Sequence, residues 1–121
     1  MSLSNTSVNE LTENTMYPND DTGNVLADMA DANIDLSIEH DVVFFQLFEE
    51  QHQAQAMVEY MQEHHPEVVN NLHPDETPNV WDVDCTIKMI PEYQGIIDKE
   101  LFFEKLAAKF KGYNDGWGIE G

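Results

Sequence analysis

The chain has 121 residues, with 24 Asp and Glu against five lysines, no arginine and a formal net charge of −19 at pH 7. That sign argues against direct nucleic-acid binding, which needs a basic footprint to displace phosphate counterions. No stretch approaches the ~18 apolar residues of a membrane span, no basic and apolar leader opens the chain, and the lone Cys85 cannot close an internal disulfide, which together point to one domain in a reducing cytoplasm.

The charge is unevenly laid out. Residues 1–87 carry 18 carboxylates and no side-chain cation, counting His as neutral, whereas residues 88–121 hold six acids and all five lysines. High net charge by itself keeps proteins apart in solution. The sharper reading is a basic partner.

In chain order, residues 1–19 are Ser, Asn, Thr and Glu with scattered apolar residues, and disorder is expected there. Residues 1–3 and 120–121 read as additions to a native chain, leaving a domain over 20–119. Asp20 or Asp21 caps a short helix whose Val25, Leu26 and Met29 share a face. Residues 34–45 alternate as a strand, with Ile34, Leu36, Ile38, His40, Val42 and Phe44 on one side. Asp35, Ser37, Glu39 and Asp41 lie on the other, and both faces are apolar from Val43 onward. Residues 49–64 form a helix on Ala54, Met57, Val58 and Met61, ended by Pro66. A short strand is expected at 67–72 and a loop at 73–79, which holds Pro74 and Pro78. Residues 80–90 are the clearest strand: Trp81, Val83, Cys85, Ile87 and Met89 alternate with Asp82, Asp84, Thr86 and Lys88. Asp98 caps a helix over 99–111 with Phe102, Phe103, Leu106, Ala107 and Phe110 as its stripe, and Gly112 stops it. A last strand covers 113–119.

This order, a helix followed by β-α-β-β-α-β, predicts an α+β, ferredoxin-like (split βαβ) sandwich. Its four-stranded antiparallel sheet would carry two helices on one face, plus the short N-terminal helix.

The ending AAKFKGYNDGWG, residues 107–118, resembles the C-terminal signature of the regulator of ribonuclease E activity B (RraB) family, in which Lys-Phe leads into Tyr-Asp-Gly-Trp-Gly. Here Asn114 separates Tyr113 from Asp115. Ile38-Glu39-His40 and the strand with Asp84 and Cys85 match as well, and the resemblance covers roughly residues 24–119, a whole domain. It implies a cytoplasmic bacterial protein without catalysis that binds ribonuclease E outside its catalytic domain and dampens RNA decay. Family members often continue into an acidic C-terminal tail. Here the negative charge precedes residue 88.

No set of residues suggests an enzyme. By strand parity Cys85 and His40 face the core, the first as an inert thiol and the second hydrogen-bonded. Gly116-Trp117-Gly118 lacks the lysine and helix of a phosphate loop. His52, His64, His65 and His73, with Glu63, Glu67 and Asp75, show no metal-ligand spacing, so solvated histidines are expected and no metal or cofactor.

The outward sheet face carries Asp35, Glu39 and Asp41 on the first strand and Asp82 and Asp84 on the third. RNA-recognition modules use this face with aromatics; carboxylates there would repel phosphate and attract Arg/Lys-rich chain. A plain solvated face is the bland alternative. Asp115 and Trp117 join the expected partner site, with Tyr113 as a further apolar anchor. For Trp117 two arrangements stay open. Either it stands on the acidic face, or Asp115-Gly116 bulges, resets parity and sends it into the core. The expected function is a non-enzymatic inhibitor binding a basic segment of ribonuclease E. The alternative is a small ligand- or metal-sensing, dimerising module.

Overall fold

Asp20 begins the first element by accepting from the Gly23 N–H at 2.8 Å, which satisfies one of the donors a helix leaves unpaired at its start. Helix α1, Asp21–Asp31, follows. The computed structural model describes residues 17–120, so the expectations for residues 1–16 and for Gly121 lie outside the described residues. After α1 come β1 (His40–Phe48), α2 (Gln51–His64), β2 (Val69–Pro74), β3 (Trp81–Met89), α3 (Tyr93–Lys109) and β4 (Tyr113–Glu120). The strands form one sheet in the order β2-β3-β1-β4, antiparallel at every pairing. The architecture is α+β, and β1 and β3 are its central pair.

One face of the sheet makes the core. Val42, Phe44 and Phe48 of β1 and Val83 and Cys85 of β3 pack with Ala54, Met57 and Met61 of α2 and Ile96, Phe103 and Ala107 of α3. Both longer helices therefore cover the same face. The Phe44 and Phe103 rings lie 5.1 Å apart, and each such side chain contributes roughly 1.5–3 kcal/mol by leaving water. Helix α1 packs on α3 and buries Leu26 completely. Gly23 permits this docking: a Cβ there would run into the Pro18 carbonyl oxygen.

Four expectations are corrected. The first strand starts at His40, because residues before it turn instead: Asn33 adopts φ 69°, and Asp35 Oδ1 accepts from the Ser37 N–H at 3.0 Å and from its hydroxyl at 2.6 Å. Such side-chain bonds compete with a strand ladder. His40 is half-exposed at the strand's first position and bonds the Asp35 carbonyl, so it is not a core residue. The final helix begins at Tyr93, well before Asp98, which lies inside it and accepts from Gln94 at 2.9 Å. Lastly, β2 runs on through His73 and Pro74; as an edge strand it tolerates proline at its end, and this carries His73 into the sheet. The core face of β1 also includes Gln46, fully buried, with neither amide atom partnered among the described residues.

The end of α3 differs from expectation in its cause. Lys111, not Gly112, takes the left-handed turn, at φ 71°. Gly112 is needed because any side chain there would strike the Phe48 ring.

Candidate functional site

On the face of the sheet away from the helices, β1 presents Asp41, Val43, Phe45 and Leu47. They stand opposite Lys88, Thr86, Asp84 and Asp82 of β3. The expected open platform of carboxylates is not what the structure builds. Its middle is the apolar row Val43, Phe45 and Leu47, and Asp41 lies 3.6 Å from the Lys88 ammonium. Asp35 and Glu39 sit outside the sheet, in the segment before β1. Hydrogen bonds from Ser37 hold the Asp35 carboxyl below its usual range.

Asp82 and Asp84 do share this face, and His73 of β2, directly opposite Asp82, joins them. His73 Nε2 lies 3.0 Å from Asp84 Oδ2, and His73 Nδ1 lies 3.0 Å from the Pro74 carbonyl oxygen. Asp82 is only 9% exposed, because His73 and Leu47 flank it on the neighbouring strands. Burial, then the neighbouring Asp84 and Asp75, raise its carboxyl to about 7. The bond to Asp84 raises His73 in turn. Cys85, next to Asp84 in sequence but on the core face, is buried and its thiol is pushed up to about 12, so it is no nucleophile. The other histidines stay apart: His64 stacks on Tyr60 at 4.4 Å and His52 sits beside Glu50.

The register of β4 decides the place of Trp117. Trp117 pairs with Phe44 and Ile119 with Val42, but Asn114 pairs with Gln46. Asp115 and Gly116 together therefore oppose Phe45, as a bulge with Gly116 at φ 105°, a conformation glycine adopts without strain. Of the two arrangements the sequence left open, the bulge is the one adopted. Asn114 holds it in shape, with Oδ1 accepting from the Gly116 N–H at 3.1 Å and Nδ2 donating to Glu100 at 3.2 Å. Asp115 is exposed, Tyr113 stands on the outward face, and Trp117 turns to the helix side, half-buried against the core.

There Trp117 lines a cleft of about 550 Å³ between α1, α3 and β4, with Asp20, Asp21 and Glu100 among its walls. Thr22, Val25, Asn114 and Gly116 complete the lining. No lysine belongs to it. Asp20 accepts from the Tyr93 hydroxyl and from Gly23, which hold its carboxyl below the usual range and therefore ionised. The structure thus divides the expected partner residues between two places. Asp82 and Asp84 meet on the sheet, Trp117 faces the cleft, and Asp35, Glu39, Asp41 and Asp115 belong to neither grouping.

The cleft carboxylates Asp20, Asp21 and Glu100 were missed as site residues, and so was the link from His73 to β3. A helix cap gives no sign of what the helix end faces. Pro74 disguised the strand that brings His73 across.

Residues 19–119 match the family model described as regulator of ribonuclease activity B. The chain belongs to the regulator of ribonuclease activity B family. The match takes in α1, the cleft and the bulged ending, and so spans the resemblance expected over roughly residues 24–119. None of the curated proteins matches the chain in sequence. Membership in the RraB family makes it a regulator of ribonuclease activity rather than a member of a catalytic family. No helix among the described residues is long and apolar enough to cross a membrane.

Proposed function

We propose that this RraB-family protein is a cytoplasmic bacterial inhibitor of ribonuclease E, or of a related RNA-processing assembly. It binds a basic, arginine-rich segment outside the catalytic domain, through a single domain over 20–119 and without catalysis of its own. The observation that carries this reading is the cleft, where a half-buried indole stands among three carboxylates with no lysine in the lining. A guanidinium stacks on an indole and forks onto carboxylates, and arginine does both better than lysine. One stacked cation contributes ~0.5–2 kcal/mol and an exposed ion pair ~0.2–1 kcal/mol, so affinity requires several such contacts along one segment. Asp35, Glu39, Asp41, Asp82, Asp84 and Asp115 then act mainly by steering the encounter. The β-α-β-β-α-β order from β1 to β4, with both crossover helices on one face, supports a ferredoxin-like description, with α1 as an addition.

The test is capture of the enzyme's arginine-rich region by the protein on beads at low salt. Retention is expected, and reversal of Asp21 and Glu100 to lysine should weaken it at least tenfold. No retention by the wild-type chain would sink the assignment. A second reading, a dimerising ligand-sensing module, is favoured by the apolar row Val43, Phe45 and Leu47 on the sheet face away from the helices, where Phe45 and Leu47 are partly exposed. A concentration-independent dimer mass in size exclusion would support that instead.

A further inference from the structure

Among the described residues, His73, Asp82 and Asp84 each offer a ligating atom within 4.8 Å of the others. Three features separate this grouping from an ordinary acidic patch. First, Asp82 is 9% exposed, yet its Oδ1 has no hydrogen-bond partner among the described residues, and Asp84 Oδ1 likewise has none among them. A buried, unpaired carboxylate oxygen is costly, and such oxygens are ordinarily satisfied by a cation or a donor. Second, the Pro74 carbonyl, 3.0 Å from His73 Nδ1, fixes the ring with Nδ1–H as donor and Nε2 turned to the carboxylates. That is the backing a metal-bound imidazole ordinarily has. Third, His73 Nε2 and Asp84 Oδ2 lie 3.0 Å apart, a few tenths of an ångström from the separation of about 3.4 Å between neighbouring ligands that each lie 2.0–2.2 Å from a tetrahedral zinc ion.

We infer that His73, Asp82 and Asp84 form a binding site for one divalent transition-metal ion of the zinc class on the sheet face away from the helices. One imidazole nitrogen with two carboxylates selects such ions over Mg²⁺, which prefers oxygen alone and keeps its waters. The ion replaces a proton between His73 and Asp84 and supplies the missing partner of Asp82. Three protein ligands leave at least one position for water or for a donor from another chain. The strands hold the site rigidly: His73 and Asp82 face each other across a ladder, and Asp84 is two residues along the same face. The inference does not rest on the ribonuclease reading, whose direct contacts are in the Trp117 cleft and to which Asp82 and Asp84 lend only charge.

The experiment is isothermal titration of the full chain, stripped with EDTA, with zinc chloride and separately with magnesium chloride. One Zn²⁺ per chain is expected, with Mg²⁺ bound far more weakly. Asp82→Asn and His73→Gln should each weaken zinc roughly tenfold or more. The double variant His64→Gln, His65→Gln should leave it unchanged. His73 is partly exposed, so His73→Gln keeps the test decisive should Asp82→Asn fold poorly. In the wild type, zinc should move the His73 imidazole nitrogen resonances and leave those of the other four histidines in place. No stoichiometric zinc binding, equal affinity in His73→Gln, or equal affinity for magnesium overturns the proposal.

Discussion

The Trp117 cleft and the strand cluster are both built from carboxylates, and they hold them in opposite ways. In the cleft, Asp20 accepts from Tyr93 and from a backbone N–H, is open to water, and is driven toward the charged form. On the sheet, Asp82 is buried, with an unpartnered oxygen and another aspartate beside it, and is driven toward the neutral form. Donors and solvent, not residue type, set the direction. The first region suits a mobile cation brought by a partner. The second suits a cation fixed between strands.

The largest effect that separates them is expected at Gly23. Gly23→Ala pushes a methyl group into the Pro18 carbonyl, a backbone clash costing about 1–3 kcal/mol. It should displace α1, erase capture and leave zinc titration intact, because no metal ligand touches α1. Urea unfolding followed by the two binding assays checks this. Next comes charge. Asp21→Lys with Glu100→Lys should weaken capture at least tenfold, about 1.4 kcal/mol, and raised salt should weaken wild-type capture in the same direction. Zinc affinity unchanged in that variant would sharpen the separation; a parallel loss would merge the two regions into one site.

Smaller effects follow at the cluster. Asp82→Asn removes a buried carboxylate and should raise the unfolding temperature of the metal-free chain by a few degrees. The same variant should lose the extra stability that saturating zinc confers on the wild type, about 2.7 kcal/mol at a hundredfold excess over Kd. Differential scanning calorimetry with and without zinc reads both. The smallest is a pH effect at α1. Asp20 is depressed from 3.8 by Tyr93 and by Gly23, so its contribution to docking is present above that value and is lost as pH falls through the lowered one. Amide exchange in α1 should accelerate there before exchange in β1 and β3 does; uniform exchange would show that the cap plays no part.

Much of the frame was legible in residue order. Alternation placed Val83 and Cys85 inside and Asp82 and Asp84 outside, and the helical stripes at Ala54–Met61 and Phe103–Ala107 lie in the core, whereas Phe102, expected with the second stripe, is 37% exposed and Phe110 only partly buried. The bulge at Asp115-Gly116 was legible as one of two solutions, because a regular strand would have buried a carboxylate with its tryptophan. What stayed hidden was partnership. Tyr93 and Asp20 are 73 positions apart, and periodicity says which face a residue takes, not what that face meets. His73 was read as loop because Pro74 follows it, although a proline at the end of an edge strand removes no ladder bond that the sheet needs.

By itself, the amino-acid sequence determined the family, the layered α+β arrangement, the acidity and the alternation that sorts inside from outside. These are local or summed properties, and they survive in any listing of residues. Only the tertiary structure decided that the carboxylates divide between an indole-lined cleft and a histidine-backed pair on the sheet. That division depends on strand register and helix docking, where a shift of one residue moves every side chain to the other face.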